Sequence, residues 1–205
     1  MSIAREGFPY IVTMGLPAIV LFAFGFWKIA IVFAVLALAM VFFFRDPKRH
    51  PPADKNVVVS PADGRVTKVS RLDFDRGEST LVSIFLSPLD VHINRAPIAG
   101  IIRDVTYLPG KFLMATNEKA STVNEQNTLT IEGEKITVVC KQIAGILARR
   151  VVCWKQKGDH LRLGERFGLI KFSSRTDVIL PEQVEVIVQP GAKVKGGTTI
   201  IGRIR

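Results

Sequence analysis

The sequence predicts a mainly β domain of the sandwich or barrel type, preceded by an N-terminal hydrophobic α-helical hairpin. Three observations carry this reading. Between Phe8 and Phe44 the chain runs for 37 residues with one charge, Lys28. After His50-Pro51-Pro52 the pattern changes to short β-branched runs separated by Gly and Pro turns, the spacing of a sandwich or barrel. Near the C-terminus, Gly158-x-x-Leu161-x-x-Gly164-x-x-Phe167 is echoed by Gly191-x-x-Val194-x-x-Gly197-x-x-Ile200 at a constant offset of 33 residues.

As one straight helix the apolar stretch would be ~55 Å long, against a hydrocarbon core of ~30 Å. Two spans, 8–25 and 27–44, are therefore expected, with the turn at Gly25–Lys28. Trp27 suits an interface, and the stem of Lys28 lets its charge reach water. Pro17 is expected to kink the first span. A single span plus an interfacial helix is the alternative. The stretch is longer than the h-region of a signal peptide, about 7–15 residues, and no small-x-small site follows it. Arg5 precedes it and Arg45-Asp46-Pro47-Lys48-Arg49 follows, which keeps both ends cytoplasmic by the positive-inside tendency. Residues 1–44 thus read as an anchor in the cell membrane and 45–55 as a basic, Pro-rich linker. Residues 56–205 read as a β-rich domain on the cytoplasmic face.

The chain carries 28 Lys+Arg against 18 Asp+Glu, a net charge of +10. Arg5, Glu6 and Lys28 leave +1 in residues 1–44, so the remaining 161 residues carry +9. Such a domain is attracted to an anionic leaflet. No aromatic–basic motif or recognition helix is present, so nucleic acid is not the expected partner. Two cysteines exclude a disulfide scaffold and a cysteine-built zinc cluster; Cys140 and Cys153 read as reduced, half-buried strand residues. Three scattered histidines give no metal centre, and none is expected.

Strands are expected at 57–60, 64–69, 80–86, 100–107, 128–131, 135–143, 149–154, 168–172, 177–180 and 184–189, with one short helix at 119–124. The two Gly-rich repeats resemble the hammerhead turns of lipoyl- and biotinyl-type barrel-sandwich folds. Ser60-Pro61-Ala62-Asp63-Gly64 and Ala96-Pro97-Ile98-Ala99-Gly100 look like the matching entry turns. Neither repeat offers a Lys at a hairpin tip flanked by Met, so a lipoyl or biotin carrier is not favoured. Phe112-Leu113-Met114 reads as core, with an exposed acyl-chain contact as the alternative.

There is no G-x-S-x-G elbow, P-loop, H-E-x-x-H or dinucleotide fingerprint. Any chemistry must then use the chain's own side chains or a cofactor made from them. By composition alone, Ser173-Ser174-Arg175-Thr176-Asp177 is a polar turn ending an apolar strand.

A family resemblance changes the weight of that segment. It rests on the hydrophobic hairpin, Phe43-Phe44-Arg45-Asp46-Pro47, Ser60-Pro61-Ala62-Asp63-Gly64, and Leu86-Ser87-Pro88-Leu89-Asp90-Val91-His92-Ile93-Asn94-Arg95-Ala96-Pro97. Asn124-Glu125-Gln126-Asn127 and Gly168-Leu169-Ile170-Lys171-Phe172-Ser173-Ser174-Arg175 complete it. In this order and spacing they resemble the short form of phosphatidylserine decarboxylase over nearly the whole chain. The resemblance implies a proenzyme that cuts itself between Ser173 and Ser174 and converts Ser174 into a pyruvoyl group. It implies a large fragment 1–173 and a small fragment 174–205 that remain together as a heterodimer, open to further oligomerisation. The pyruvoyl ketone would form a Schiff base with the serine amine of a membrane phospholipid, yielding phosphatidylethanolamine and CO2. An ether-lipid analogue shares the head group and stays open.

Members usually have Gly-Ser at the scissile bond, where this chain has Ser173-Ser174. His92 matches a family histidine and is the candidate acid/base. Longer relatives have a second histidine three positions on; here it is Arg95, a candidate for binding the lipid phosphate or carboxylate. Asp63 matches the family's Pro-Ala-Asp-Gly turn, where a proton-transfer role and a turn role both stand. Two rivals remain: a membrane-anchored barrel-sandwich adaptor without catalysis, and a pyruvoyl decarboxylase of a soluble amino acid. The first should carry long heptad helices, which are not found; the second needs no anchor.

Overall fold

The computed structural model describes residues 2–74, 77–114, 117, 119–146, 150–171 and 174–205. The chain forms two compact units, 1–48 and 49–205.

In the first unit, β1 (Ser2–Ile3) leads into α1 (Phe8–Ala23), then α2 (Trp27–Phe43) and β2 (Arg45–Asp46). The helices turn at Gly25, which has φ +81°, and the Phe26 amide donates to the Leu21 carbonyl at 2.9 Å. The Lys28 ammonium lies 5.5 Å from the Trp27 ring centroid. Pro17 stands inside α1. At the open end β1 pairs antiparallel with β2, and Tyr10 stacks on Phe44 at 5.4 Å. The segment Arg5–Ala23, 19 residues, is long and apolar enough to cross a bilayer by length and composition; Trp27–Phe43 is a shorter apolar helix. Most of their large apolar side chains are exposed.

The second unit is mainly β, barrel-sandwich-like, with a curled principal sheet. In chain order its strands are β3 (Val57–Val59), β4 (Gly64–Phe74), β5 (Gly77–Leu86), β6 (Ile93–Arg95), β7 (Gly100–Leu108), β8 (Gln126–Glu132), β9 (Thr137–Ala144) and β10 (Val151–Cys153). They continue as β11 (His160–Leu161), β12 (Arg166–Ile170), β13 (Ser174–Pro181), β14 (Val184–Val186), β15 (Lys193–Val194) and β16 (Ile200–Ile204). A short helix, α3 (Ala120–Val123), precedes β8. The sheet orders are β11-β7-β8-β9-β13-β5-β4-β15, β10-β12-β6 and β14-β16-β3. The principal apolar core of the unit includes Val66, Ile84, Ile102, Leu129, Phe167, Val178 and Ile201.

The internal echo is structural. Gly158, Gly164, Gly191 and Gly197 all have positive φ, between +69° and +95°. In one half the Gly164 amide donates to the Ala96 carbonyl, and those of Gly158 and Ile102 to the carbonyls of Ile102 and Asp159. In the other, Gly197 donates to Ser60, Gly191 to Val66, and Val66 to Ala192. Each half is a Gly-rich hammerhead strapped to its entry turn. The halves meet where the Cα of Gly164 and Gly197 approach so closely that a Cβ on either would sit 3.4 Å or less from the other's backbone.

Three local expectations are corrected. Cys140 is fully buried rather than half-buried, since it faces Val178 within the core. The polar run Ser174–Asp177 is strand, not turn. Phe112 and Met114 are exposed, because both backbone groups of Leu113 are clamped by the Asn124 side chain at 2.9 Å, which leaves its neighbours projecting outward.

Candidate active site

The principal sheet converges at one end on Ser174. This residue opens β13 between Leu86, the last residue of β5, and Ala144, the last of β9. It is fully buried. Among the described residues its Oγ has no hydrogen-bond partner, an exception to the rule that buried polar atoms are paired. Nearby, Ala144, Val151 and Ile170 form a small apolar cluster of their own. The Glu125 carboxylate accepts from the Val151 amide at 3.0 Å. Ser173 and Phe172 lie outside the described residues.

His92 stands just before β6 and is fully buried. Its carbonyl accepts from the Ile170 amide at 3.2 Å, four residues before Ser174. Nδ1 lies 3.0 Å from the Asp90 carbonyl. A carbonyl oxygen only accepts, so Nδ1 carries the proton and Nε2 keeps the lone pair. Asp90 itself caps the preceding turn, taking the Ser87 amide at 2.8 Å.

The two faces of β13 carry different polar groups, neither visible as a motif. On the Ser174 face, about 7 Å further along the strand, Thr176 accepts from Asn94 Nδ2 at 3.0 Å. Gln142 Nε2 donates to Asn94 Oδ1 at 2.8 Å, and Asn127 Nδ2 to Gln142 Oε1 at 3.2 Å. All four residues are buried, and the chain ties β6 to the principal sheet. A paired network of this kind fixes one arrangement of the strands it joins. It needs Gly168, where a Cβ would fall 2.7 Å from Gln142 Nε2 and 2.4 Å from the Val152 carbonyl oxygen.

On the opposite face, Arg175 grips Asp177 with two hydrogen bonds, at 2.6 and 2.9 Å, and donates to Ser83 Oγ at 2.9 Å. All three are buried. Positions i and i+2 of a strand share a face, so Arg-x-Asp in a strand is the one signal that could have disclosed this pair.

Asp63 and Arg95 are placed in the hammerhead turns. Asp63 accepts from Arg49 Nη2 at 2.7 Å and from the Gly196 amide at 2.8 Å. Arg95 Nη1 donates to the Gly164 carbonyl at 3.2 Å, and its Cδ packs at Gly197. His92 and Arg95 are three residues apart, about 10 Å along the chain. The fold therefore brings His92 and Ser174 to one end and ties Asp63 and Arg95 into the strapped turns. Among the described residues no group of His, Cys, Asp and Glu could hold a metal ion.

Burial pushes the Asp63 carboxyl above its ordinary 3.8, against the opposing pull of Arg49 and the Gly196 amide. The native chain then takes up this proton at a higher pH than the unfolded chain. Stability contributed by protonation grows as pH falls through the raised value toward 3.8 and is absent above it. Asp63→Asn removes that contribution. The melting temperature of wild type relative to Asp63→Asn is expected to rise on acidification through this window; a constant difference would show that Asp63 does not titrate there.

Comparison with known proteins gives the family. Residues 36–202 match the family model described as phosphatidylserine decarboxylase. A phosphatidylserine decarboxylase proenzyme from Symbiobacterium thermophilum is 48% identical over 98% of this chain and 95% of its own length. One from Geotalea uraniireducens is 47% identical with the same coverage. Another, from Solibacter usitatus, is 51% identical over 85% of this chain and 83% of its own. Hairpin, strapped turns and the buried serine at the head of β13 thus occur in a chain that belongs to the phosphatidylserine decarboxylase family.

Proposed function

We propose that this chain converts phosphatidylserine to phosphatidylethanolamine and CO2, after cutting itself between Ser173 and Ser174. The observation that carries the reading is Ser174: buried at the first position of β13, with an Oγ that has no partner among the described residues. The family match favours the enzyme over the adaptor.

In the self-cutting step the Ser174 hydroxyl attacks the carbonyl carbon of residue 173. The amide nitrogen leaves and takes up a proton, so an ester replaces the peptide bond. Loss of the Ser174 Cα proton expels the carboxylate of 173 and leaves dehydroalanine, which hydrolyses to a ketone with release of ammonia. The position suits a pyruvoyl group: that group keeps the carbon skeleton of Ser174, and no hydrogen bond of the described Oγ is lost in making it. A pyruvoyl there supplies a ketone that takes the substrate amine and draws off the electron pair left when CO2 departs.

The chain's own residues do the rest. His92 Nε2, left as the lone-pair nitrogen by the bond from Nδ1 to the Asp90 carbonyl, takes up a proton and delivers it to the substrate α-carbon once CO2 has left. Of the small fragment 174–205, β13 stays between β5 and β9, β15 pairs with β4, and β16 pairs with β3. These ladders hold the two fragments together as a heterodimer after the cut. The apolar helices of residues 1–44 anchor the chain in the cell membrane, and the basic flanks Arg5 and Arg45–Arg49 set the β domain on the cytoplasmic face.

Intact mass of the purified protein, without substrate, tests the reading. Fragments 1–173 and 174–205, the second beginning with pyruvoyl, are expected, together with CO2 release from phosphatidylserine vesicles. One uncut species without CO2 release would overturn it. His92→Gln is expected to slow single-turnover decarboxylation by about 10²–10⁴-fold; an unchanged rate removes His92 from the chemistry.

A further inference from the structure

The turns at the Ser174 end of the second unit carry four exposed apolar side chains among cations; among the described residues the opposite end exposes Phe74, 36%, and is mainly acidic. Because Ser174 pairs with Leu86 and Ala144, and Gln126 with Leu108 and Ile143, β5, β7 and β9 end together where β8 and β13 begin. The segments leaving these strands project Leu89, 71% exposed, Met114, 59%, Ile146, 57%, and Phe112, 38%. Their exposure is built in. Leu89 sits at the tip of a turn closed by the Asp90 amide on the Ser87 carbonyl and by the Asp90 carboxylate. Phe112 and Met114 flank the Leu113 that Asn124 clamps, and the same Asn124 holds the Ala144 carbonyl at 2.7 Å, two residues before Ile146.

Lys111, Lys119, Arg150 and Lys171 stand on these segments. Their two described acids, Asp90 and Glu125, are both turned inward onto backbone amides. At the far end of the same strands the turns carry Asp73, Glu78, Glu132, Glu134 and Glu182, against Arg71, Arg103 and Lys135. The strand axis thus runs from an apolar, cationic end to an acidic one.

We propose that this end of the β domain docks onto an anionic bilayer, with Leu89, Phe112, Met114 and Ile146 entering the interface and the four cations facing lipid phosphates. Charge complementarity selects a lipid surface as the occupant: apolar side chains interleaved with cations are the composition that inserts at such an interface. The inference rests on the decarboxylase reading only for the identity of the lipid it reaches; docking itself needs no turnover. It places Ser174 beneath the membrane-facing turns, so a head group would be met without the lipid leaving its leaflet.

The test uses the full chain in vesicles of phosphatidylglycerol and phosphatidylcholine, which contain no substrate. An environment-sensitive label is placed in turn at Leu89→Cys, Met114→Cys, Ile146→Cys and, at the far end, Glu134→Cys. Each carries Cys153→Ser; Cys140 is buried and its thiol pushed up by desolvation, so it stays unlabelled. Quenchers on the acyl chains are expected to quench the first three labels several-fold more than the fourth. Equal quenching at all four would overturn the proposal, since tethering by the hairpin alone gives that result. The variant Leu89→Ser/Met114→Ser/Ile146→Ser is expected to turn over water-soluble short-chain phosphatidylserine as wild type does. On vesicles it should fall roughly tenfold or more, the loss for withdrawing one aliphatic side chain from lipid. Equal loss on both substrates would count against docking. Failure of wild type to decarboxylate either substrate would overturn the functional reading and leave the labels to decide this one.

Discussion

Ser174→Ala is expected to leave one uncut chain of 205 residues with no decarboxylation above background and a fold of nearly unchanged stability. The two halves of this expectation come from different facts. In the proposed reading the hydroxyl is the nucleophile of the cut and the source of the ketone, so its removal ends both. The same oxygen has no hydrogen-bond partner among the described residues, so its loss strands no donor or acceptor, and the cost stays within about 1 kcal/mol. Intact mass and thermal unfolding, measured on the same preparation, read the two separately. A cut Ser174→Ala chain would move the nucleophile elsewhere, and cleavage one residue earlier would move it to Ser173. Ser173→Gly is expected to speed maturation, because glycine relieves crowding where the backbone must bend to bring a hydroxyl onto the preceding carbonyl.

Periodic features of the fold were legible in the sequence. The helical hairpin follows from a long apolar run interrupted only at Gly25–Lys28, and its observed bounds, Phe8–Ala23 and Trp27–Phe43, fall inside the expected spans. The 33-residue echo of glycines became two strapped turns because each repeat needs left-handed backbone at the same places. Strands of two or three residues, such as β6, β11 and β15, gave no warning, since period-two alternation needs more positions than they have. The start of β13 was missed for another reason. Ser174, Arg175, Thr176 and Asp177 are all polar, yet both faces of this strand are buried: Arg175 and Asp177 pair with each other and Arg175 with Ser83, while Thr176 is bonded by Asn94. The network of Asn94, Gln142, Asn127 and Thr176 joins the β8–β9 hairpin to β6 and β13, which lie far from it in sequence and meet it only in the folded chain. Ser174 and His92 were reached through matched segments of a known family rather than through any pattern of their own. Phe112 and Met114 misled in the opposite direction: apolar side chains normally go inside, and these are held outside by one asparagine.

Arg175 carries the largest stability effect expected in this molecule. In the Ser174→Ala background, where a single uncut species is present, Arg175→Ala is expected to lose about 3–5 kcal/mol in denaturant unfolding. The guanidinium supplies both hydrogen bonds that Asp177 receives from it, at 2.6 and 2.9 Å, and its loss leaves a carboxylate buried without its counter-charge. The double variant Arg175→Met/Asp177→Leu removes the stranded charge as well as the pair, and it is expected to recover most of the stability. With Ser174 restored, that double variant separates structure from positioning. After the proposed cut, residue 174 would be a chain terminus, fixed by the β5 and β9 ladders and by Arg175 one residue away. Arg175 in turn is fastened to Ser83 of the large fragment at 2.9 Å. An apolar pair fills the same space without that fastening. Turnover is therefore expected to fall by about 10²-fold, the effect of a reactive group displaced by about 1 Å, while the mass of both fragments stays that of wild type. Wild-type turnover in the double variant would make the ion pair a matter of stability alone. A failure to cut would instead place the fastening before maturation, as the contact that presents Ser174 to the preceding carbonyl.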